Sequence, residues 1–137
     1  MKKITSEVIR GLGIGKKIGY PTLNIKVPHS LKLKQGVYGC VVNLEEFTVQ
    51  GILYFGPRFN KYSGDKEGIT LEVHILNQKK KITHIMSSIT LNQKISVTIG
   101  SFLRPPIKIL SKKILKNQIK KDINKLTIDS CLEGGDT

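Results

Sequence analysis

The chain has 137 residues and a formal net charge of +13, a length that fits one domain whose core needs no disulfide or metal. Its hydrophobic content of 39% is ordinary for a globular protein, and no apolar run reaches the length of a membrane span. Met1–Glu7 lacks the apolar stretch of a secretory signal, and Cys40 and Cys131 lie far apart in no ligand pattern, so a reducing, cytoplasmic setting is expected, with Cys40 a small buried hydrophobe.

The basic excess admits three readings: nucleic acid, a phosphorylated small molecule, or a lysine-rich solvated surface. Lysines greatly outnumber arginines, the residues that fork bases and phosphates, and they are scattered apart from one denser stretch near the C-terminus. Aromatic content is 6% with no Trp, which stocks few stacking platforms. Solvated charge is therefore expected for most lysines, and nucleic acid is not the expected partner.

The first informative segment is Gly11-Leu12-Gly13-Ile14-Gly15-Lys16-Lys17-Ile18-Gly19. Glycines at alternate positions let the backbone approach a ligand and aim N–H groups at phosphate oxygens, while Lys16 and Lys17 add charge. The P-loop ending Gly-Lys-Ser/Thr is absent, and no clear strand precedes the segment as a dinucleotide fingerprint requires. On spacing alone a plain surface loop is the favoured reading. Pro21-Thr22-Leu23-Asn24 follows: proline stiffens the approach, and an extended run puts Thr22 and Asn24 on one side. A hydroxyl and an amide oxygen suit Mg²⁺ or phosphate-bound water, though two solvent-facing residues at a strand start would look the same.

Strands come next. Gly36–Leu44 and Phe47–Phe55 are rich in β-formers, with Glu45-Glu46 between them as in a hairpin. Ile69–Leu76 alternates, placing Ile69, Leu71, Val73 and Ile75 on one face and Glu72, His74 and Leu76 on the other. Lys94–Ile99 alternates as well. Several short strands separated by turns predict a barrel or a sandwich. After the break at Pro105-Pro106, Ser111 is an N-cap candidate, and Leu115, Ile119, Ile123 and Leu126 recur at helical spacing with lysines on the other face. Residues 1–126 form the expected domain; 127–137 are expected to be a flexible tail.

Gly15-Lys16-Lys17-Ile18-Gly19-Tyr20-Pro21-Thr22-Leu23-Asn24 resembles the riboflavin kinase signature Gly-Arg-x-Leu-Gly-Phe-Pro-Thr-Ala-Asn. Collinear with it, Gly36-Val37-Tyr38 resembles the family's Gly-Val-Tyr strand, and Gly56 and Arg58 its Gly-x-Arg-Pro-Thr turn. Leu71-Glu72-Val73-His74 resembles its Glu-x-His strand. Leu103-Arg104, Ser111, Leu115, Gln118-Ile119 and Asp122 resemble its Leu-Arg element and final helix, so the likeness spans roughly residues 8 to 123. It implies a six-stranded antiparallel Greek-key β-barrel with a C-terminal α-helix packed against it. It also implies transfer of the γ-phosphate of Mg-ATP to riboflavin, giving FMN and ADP.

By the resemblance, ATP binds at Gly11, Gly13, Gly15, Lys16, Lys17, Gly19, Pro21, Thr22 and Asn24, with Thr22 and Asn24 holding Mg²⁺. Glu72 falls on the catalytic base, which takes the proton of the ribityl 5′-hydroxyl. On residue pattern alone, the favoured reading of Glu72 is an outward-facing charge on a barrel strand. His74, on Glu72's side, is a candidate to orient Glu72 or line the flavin pocket, and Arg104 a candidate for flavin or phosphate, or for an ordinary ion pair.

Departures from the family pattern fall at Leu23 for Ala, expected to face the core, at Phe59-Asn60 for Pro-Thr, and at Leu91-Asn92 for Tyr-Gly. Asn tolerates the left-handed backbone such a turn needs. Residues 60–68 read as a polar loop near the site. Relatives that also adenylylate FMN carry a nucleotidyltransferase domain ahead of the kinase; the residues before Gly11 are too few for one, which leaves a stand-alone kinase or a piece of a longer chain. A monomer is expected. The competing readings are a non-catalytic barrel that holds flavin or RNA, and an impaired kinase that senses riboflavin.

Overall fold

A computed structural model describes residues 2–10, 21–44, 48–59, 66–76, 89–107 and 112–134. The strands are β1 (Lys2–Ile9), β2 (Thr22–Ile25), β3 (Gly36–Asn43), β4 (Thr48–Phe59), β5 (Lys66–Ile75) and β6 (Lys94–Arg104), followed by helix α1 (Lys112–Gly134). The strands close into a barrel in the order β1-β2-β5-β4-β3-β6, each neighbouring pair antiparallel. Strands β3, β4 and β5 are successive neighbours, and β6 returns to lie beside β3, which is the Greek-key arrangement. Among the described residues, the barrel and one C-terminal helix are the architecture expected from the sequence.

Alternation along each strand separates the two faces. Leu23 and Ile25 from β2, Leu71, Val73 and Ile75 from β5, and Leu53 and Phe55 from β4 point inward with Tyr38, Cys40, Val42, Val97 and Ile99. Leu23, expected to face the core, is 3% exposed. Burial pushes the Cys40 thiol up to about 12, against a weaker opposing hydrogen bond from the Gly51 backbone, so it behaves as a small hydrophobe. Ile69 departs from its expected face. It is 49% exposed, because it lies at the barrel's end, close to the register shift between Pro57 and Phe59.

Helix α1 packs on the outer wall. Ile123 and Leu126 meet Val37, Ile52, Tyr54, Leu76 and Leu103, which face out of the barrel, and Ile119 is buried to 1% exposure. Full burial of such a side chain is worth about 1.5–3 kcal/mol. Gly39 makes room: a Cβ there would stand 2.4 Å from Leu126 Cδ1. A buried fork anchors the helix to β6, Arg104 donating from Nε to Asp122 Oδ1 at 2.8 Å and from Nη2 to Oδ2 at 3.0 Å. Gln118 adds a third donor to Asp122 at 3.2 Å, and the Lys125 ammonium caps the Leu103 carbonyl. The apolar spacing ends at Leu126, yet the helical backbone continues through Gly134, since no proline or glycine interrupts it earlier.

Asn92 occupies the left-handed region at φ 67°, as expected where a glycine is replaced. Its N–H donates to the Val8 carbonyl at 2.8 Å, tying the turn before β6 to β1. Among the described residues no helix is long and apolar enough to cross a membrane.

Candidate active site

The register of β2, β5 and β4 assembles the site. Thr22 pairs with His74, and Asn24 with Glu72. On the other side of β5, His74 pairs with Ile52 and Glu72 with Tyr54. Because the intervening Leu23, Val73 and Leu53 point into the barrel, these partners share its outer face. Directly opposed Cβ atoms lie about 4.5–5.5 Å apart, so Thr22, Asn24, Glu72, His74 and Tyr54 form one patch. It adjoins the surface that α1 covers, since Tyr54 and Ile52 also pack against the helix cluster.

Each group carries a distinct electrostatic signature. Burial raises the Glu72 carboxyl above its ordinary value, and the nearby Arg58 guanidinium opposes the rise. Arg58 is held by donating from Nη2 to Thr70 Oγ1 at 3.3 Å, and Thr70 lies two residues before Glu72 on the same face. Burial lowers His74 to about 4; Asp122 pulls it upward and Arg104 further down. The imidazole is therefore neutral near pH 7. Tyr54 is pushed up to about 12 by burial and the Glu72 charge, against Arg104, and its hydroxyl donates to the Pro57 carbonyl.

Two contacts bear on what the patch can hold. Thr22 Oγ1 and His74 Nδ1 are 3.1 Å apart. Asn24 is 6% exposed, and its Oδ1 is buried without a hydrogen-bond partner among the described residues. A buried, unpartnered acceptor costs free energy unless a ligand completes it. A hard cation or its bound water fits an amide oxygen beside a hydroxyl. Among the described residues no cluster of three or more His, Cys, Asp or Glu could hold a metal ion.

Of the candidates from the sequence, Thr22, Asn24, Glu72 and His74 come together, with Pro21 leading into β2 and its carbonyl accepting the Ile75 N–H at 2.9 Å. Arg104 lies in the Asn24–Glu72–Tyr54–Val37 row but two pairings beyond Tyr54, and its fork is engaged by Asp122. Gly11, Gly13, Gly15, Lys16, Lys17 and Gly19 lie outside the described residues, as does most of the 60–68 loop. Sequence reasoning did not single out Tyr54 or assign Arg58 a role; Arg58 stood in the matched turn motif, whereas Tyr54 carried no signal before the register was known.

The family model for riboflavin kinase (flavokinase) matches residues 2–128. A bifunctional riboflavin kinase/FMN adenylyltransferase from Buchnera aphidicola is 35% identical over 124 residues, covering 88% of this chain and 36% of that protein. The enzyme of the same description from Haemophilus influenzae is 31% identical over 88% of this chain and 36% of its own length. A trifunctional RibF/MnmA protein from Mycoplasmoides gallisepticum is 32% identical over 84% of this chain and 16% of its own. The chain thus spans about a third or less of these relatives. A crystal structure described as a macrolide-efflux protein from Streptococcus pneumoniae superimposes with a TM-score of 0.66 at 23% identity, over 89% of this chain and 37% of that one. At that identity the likeness bears on the fold alone. With a family match over nearly its whole length and a barrel whose register unites the signature residues, this chain belongs to the riboflavin kinase family.

Proposed function

We propose that this domain transfers the γ-phosphoryl group of Mg-ATP to the 5′-hydroxyl of riboflavin, releasing FMN and ADP. The observation that carries the reading is the pairing of Asn24 with Glu72, which sets a buried, unpartnered oxygen beside a desolvated carboxylate on one outer face. Phosphoryl transfer asks of a protein mainly positioning, charge neutralisation and an oriented nucleophile. Thr22 and Asn24 would hold the Mg²⁺ that arrives with ATP, which supplies charge neutralisation at the phosphates. Glu72 accepts the hydroxyl proton as the new O–P bond forms and the bond from Pγ to the ADP oxygen breaks. Desolvation makes Glu72 a better proton acceptor, and the nearby Arg58 guanidinium opposes that rise. The glycine-rich segment 11–19 is the proposed phosphate cradle. The domain is proposed to act as a monomer in the cytoplasm, where the free thiol of Cys40 stays reduced.

The direct test is incubation with riboflavin and Mg-ATP, following FMN and ADP by chromatography. One ADP per FMN is expected. Flavin binding without turnover would instead favour a sensor or binding module and would sink the kinase reading.

A further inference from the structure

We propose that His74 is a positioning residue that accepts the Thr22 hydroxyl proton at Nδ1, so that the Thr22 oxygen presents lone pairs toward the cation of the bound nucleotide. The inference deepens the phosphotransfer reading and rests on it. A threonine hydroxyl has one proton and two lone pairs. An oxygen that is to meet a cation must send its proton elsewhere, and a neutral imidazole nitrogen at hydrogen-bond distance takes it. His74 Nδ1 stands 3.1 Å from Thr22 Oγ1, and the two residues are directly paired across β2 and β5.

The surroundings hold the imidazole to that role. His74 is 9% exposed, and its other cross-strand neighbour is the apolar Ile52, itself 1% exposed. An imidazole that carries its proton on Nε2 leaves Nδ1 free to accept, and Nδ1 is the nitrogen that faces Thr22 Oγ1. The opposite tautomer would donate from Nδ1 to Oγ1, occupying a lone pair and turning the hydroxyl proton toward the cation, which is repulsive. Groups that orient a metal-binding oxygen in this way typically change metal affinity by about 10- to 100-fold when removed. His74 thereby acts on Thr22, the residue opposite it, while Glu72, two positions earlier, is opposite Asn24.

Two measurements test this. In long-range ¹H–¹⁵N spectra of the protein free of nucleotide and metal, His74 should show an unprotonated Nδ1 and a protonated Nε2. A protonated Nδ1 overturns the proposal. Separately, Mg²⁺ is titrated at saturating ADP and thermal stabilisation is followed in wild type, His74→Leu and His74→Asn. The leucine variant preserves apolar volume and should need about 10- to 100-fold more Mg²⁺ for half-maximal stabilisation. The asparagine variant, whose Oδ1 can replace the Nδ1 acceptor, should recover most of the loss. A leucine variant with the wild-type Mg²⁺ midpoint overturns this inference alone. A wild-type protein that Mg-ADP does not stabilise overturns the phosphotransfer reading and this one with it.

Discussion

Replacing Asp122 by Asn should loosen the helix from the barrel. Asp122 is 3% exposed and accepts two bonds from Arg104, at 2.8 and 3.0 Å, and one from Gln118 at 3.2 Å. The amide keeps the shape but removes the charge, and it turns one acceptor into a donor, so one arm of the guanidinium fork meets an N–H. Removing one partner of a buried pair costs about 3–5 kcal/mol, mostly because the remaining charge is left uncompensated. Arg104 retains 15% side-chain exposure and also donates from Nη1 to the Pro105 carbonyl at 3.3 Å, so water and that carbonyl relieve part of the cost. About 2–3 kcal/mol is therefore expected, a large share of a typical total of about 5–15 kcal/mol. Urea unfolding followed by far-ultraviolet circular dichroism should show a lower midpoint at unchanged slope. Arg104→Met should cost a similar amount, and the double variant with Asp122→Leu less than the two singles together, because the cycle isolates their coupling. An Asp122→Asn protein within about 0.5 kcal/mol of wild type would refute the latch and return Arg104 to the candidates for ligand contact.

Glu72→Gln keeps the side chain's shape but removes its charge; kcat for FMN formation should fall by about 10²- to 10⁴-fold with riboflavin and nucleotide binding little changed, and a variant that retains most of its kcat would remove Glu72 as the base. Gly39→Val drives branched carbon into the space that Leu126 fills and should cost about 1–3 kcal/mol; a wild-type Tm would mean the helix does not rest there. The pH response follows from His74, held at about 4 when folded by burial, with Asp122 opposing and Arg104 reinforcing, against an ordinary value near 6.5. The unfolded chain takes this proton first, so the contribution of neutral His74 is complete above about pH 6.5 and is lost as pH falls toward 4. Glu72, raised by burial, works in the opposite sense, because its folded form protonates first and its destabilising charge is relieved on acidification. Comparing wild type with His74→Leu isolates the histidine: the stability difference should change by about 2 kcal/mol between pH 7 and pH 5, and a constant difference would contradict the buried neutral ring.

Much of the barrel was legible because its strands alternate. Leu71, Val73 and Ile75 on one face forced Glu72 and His74 onto the other, where they are found. Strand β1 escaped notice. Only Ile4 and Val8 are buried in a run otherwise made of lysines, Thr5, Ser6, Glu7 and a half-exposed Ile9, a pattern that reads as a polar terminus. The candidate site was suggested by its signature, since Thr22 and Asn24 share a side in any extended chain. What sequence order could not convey was register. That Thr22 meets His74 rather than Glu72 depends on a two-residue difference in register between strands some fifty residues apart. Tyr54 was silent for the same reason, and Asp122, though it stood in the matched helix, gave no hint of its partner: their significance is that of a neighbour brought in from elsewhere, Glu72 for one and Arg104 for the other.

The seam between β1 and β6 has a consequence for how the molecule comes into being. Lys2 is matched with Ile99 and Glu7 with Lys94, so the first strand of the barrel finds its mate only near the end of the barrel sequence. The chain closing that loop is roughly a hundred residues long, and its ordering must precede any reward from the seam. A ribosome emitting this protein would therefore display β1 for nearly the whole interval of barrel synthesis, with one flank unmatched until β6 has emerged. Within that interval β3, β4 and β5 can already zip as local hairpins. The meander is then the natural kernel of folding, and the last event is the capture of the oldest strand by the youngest.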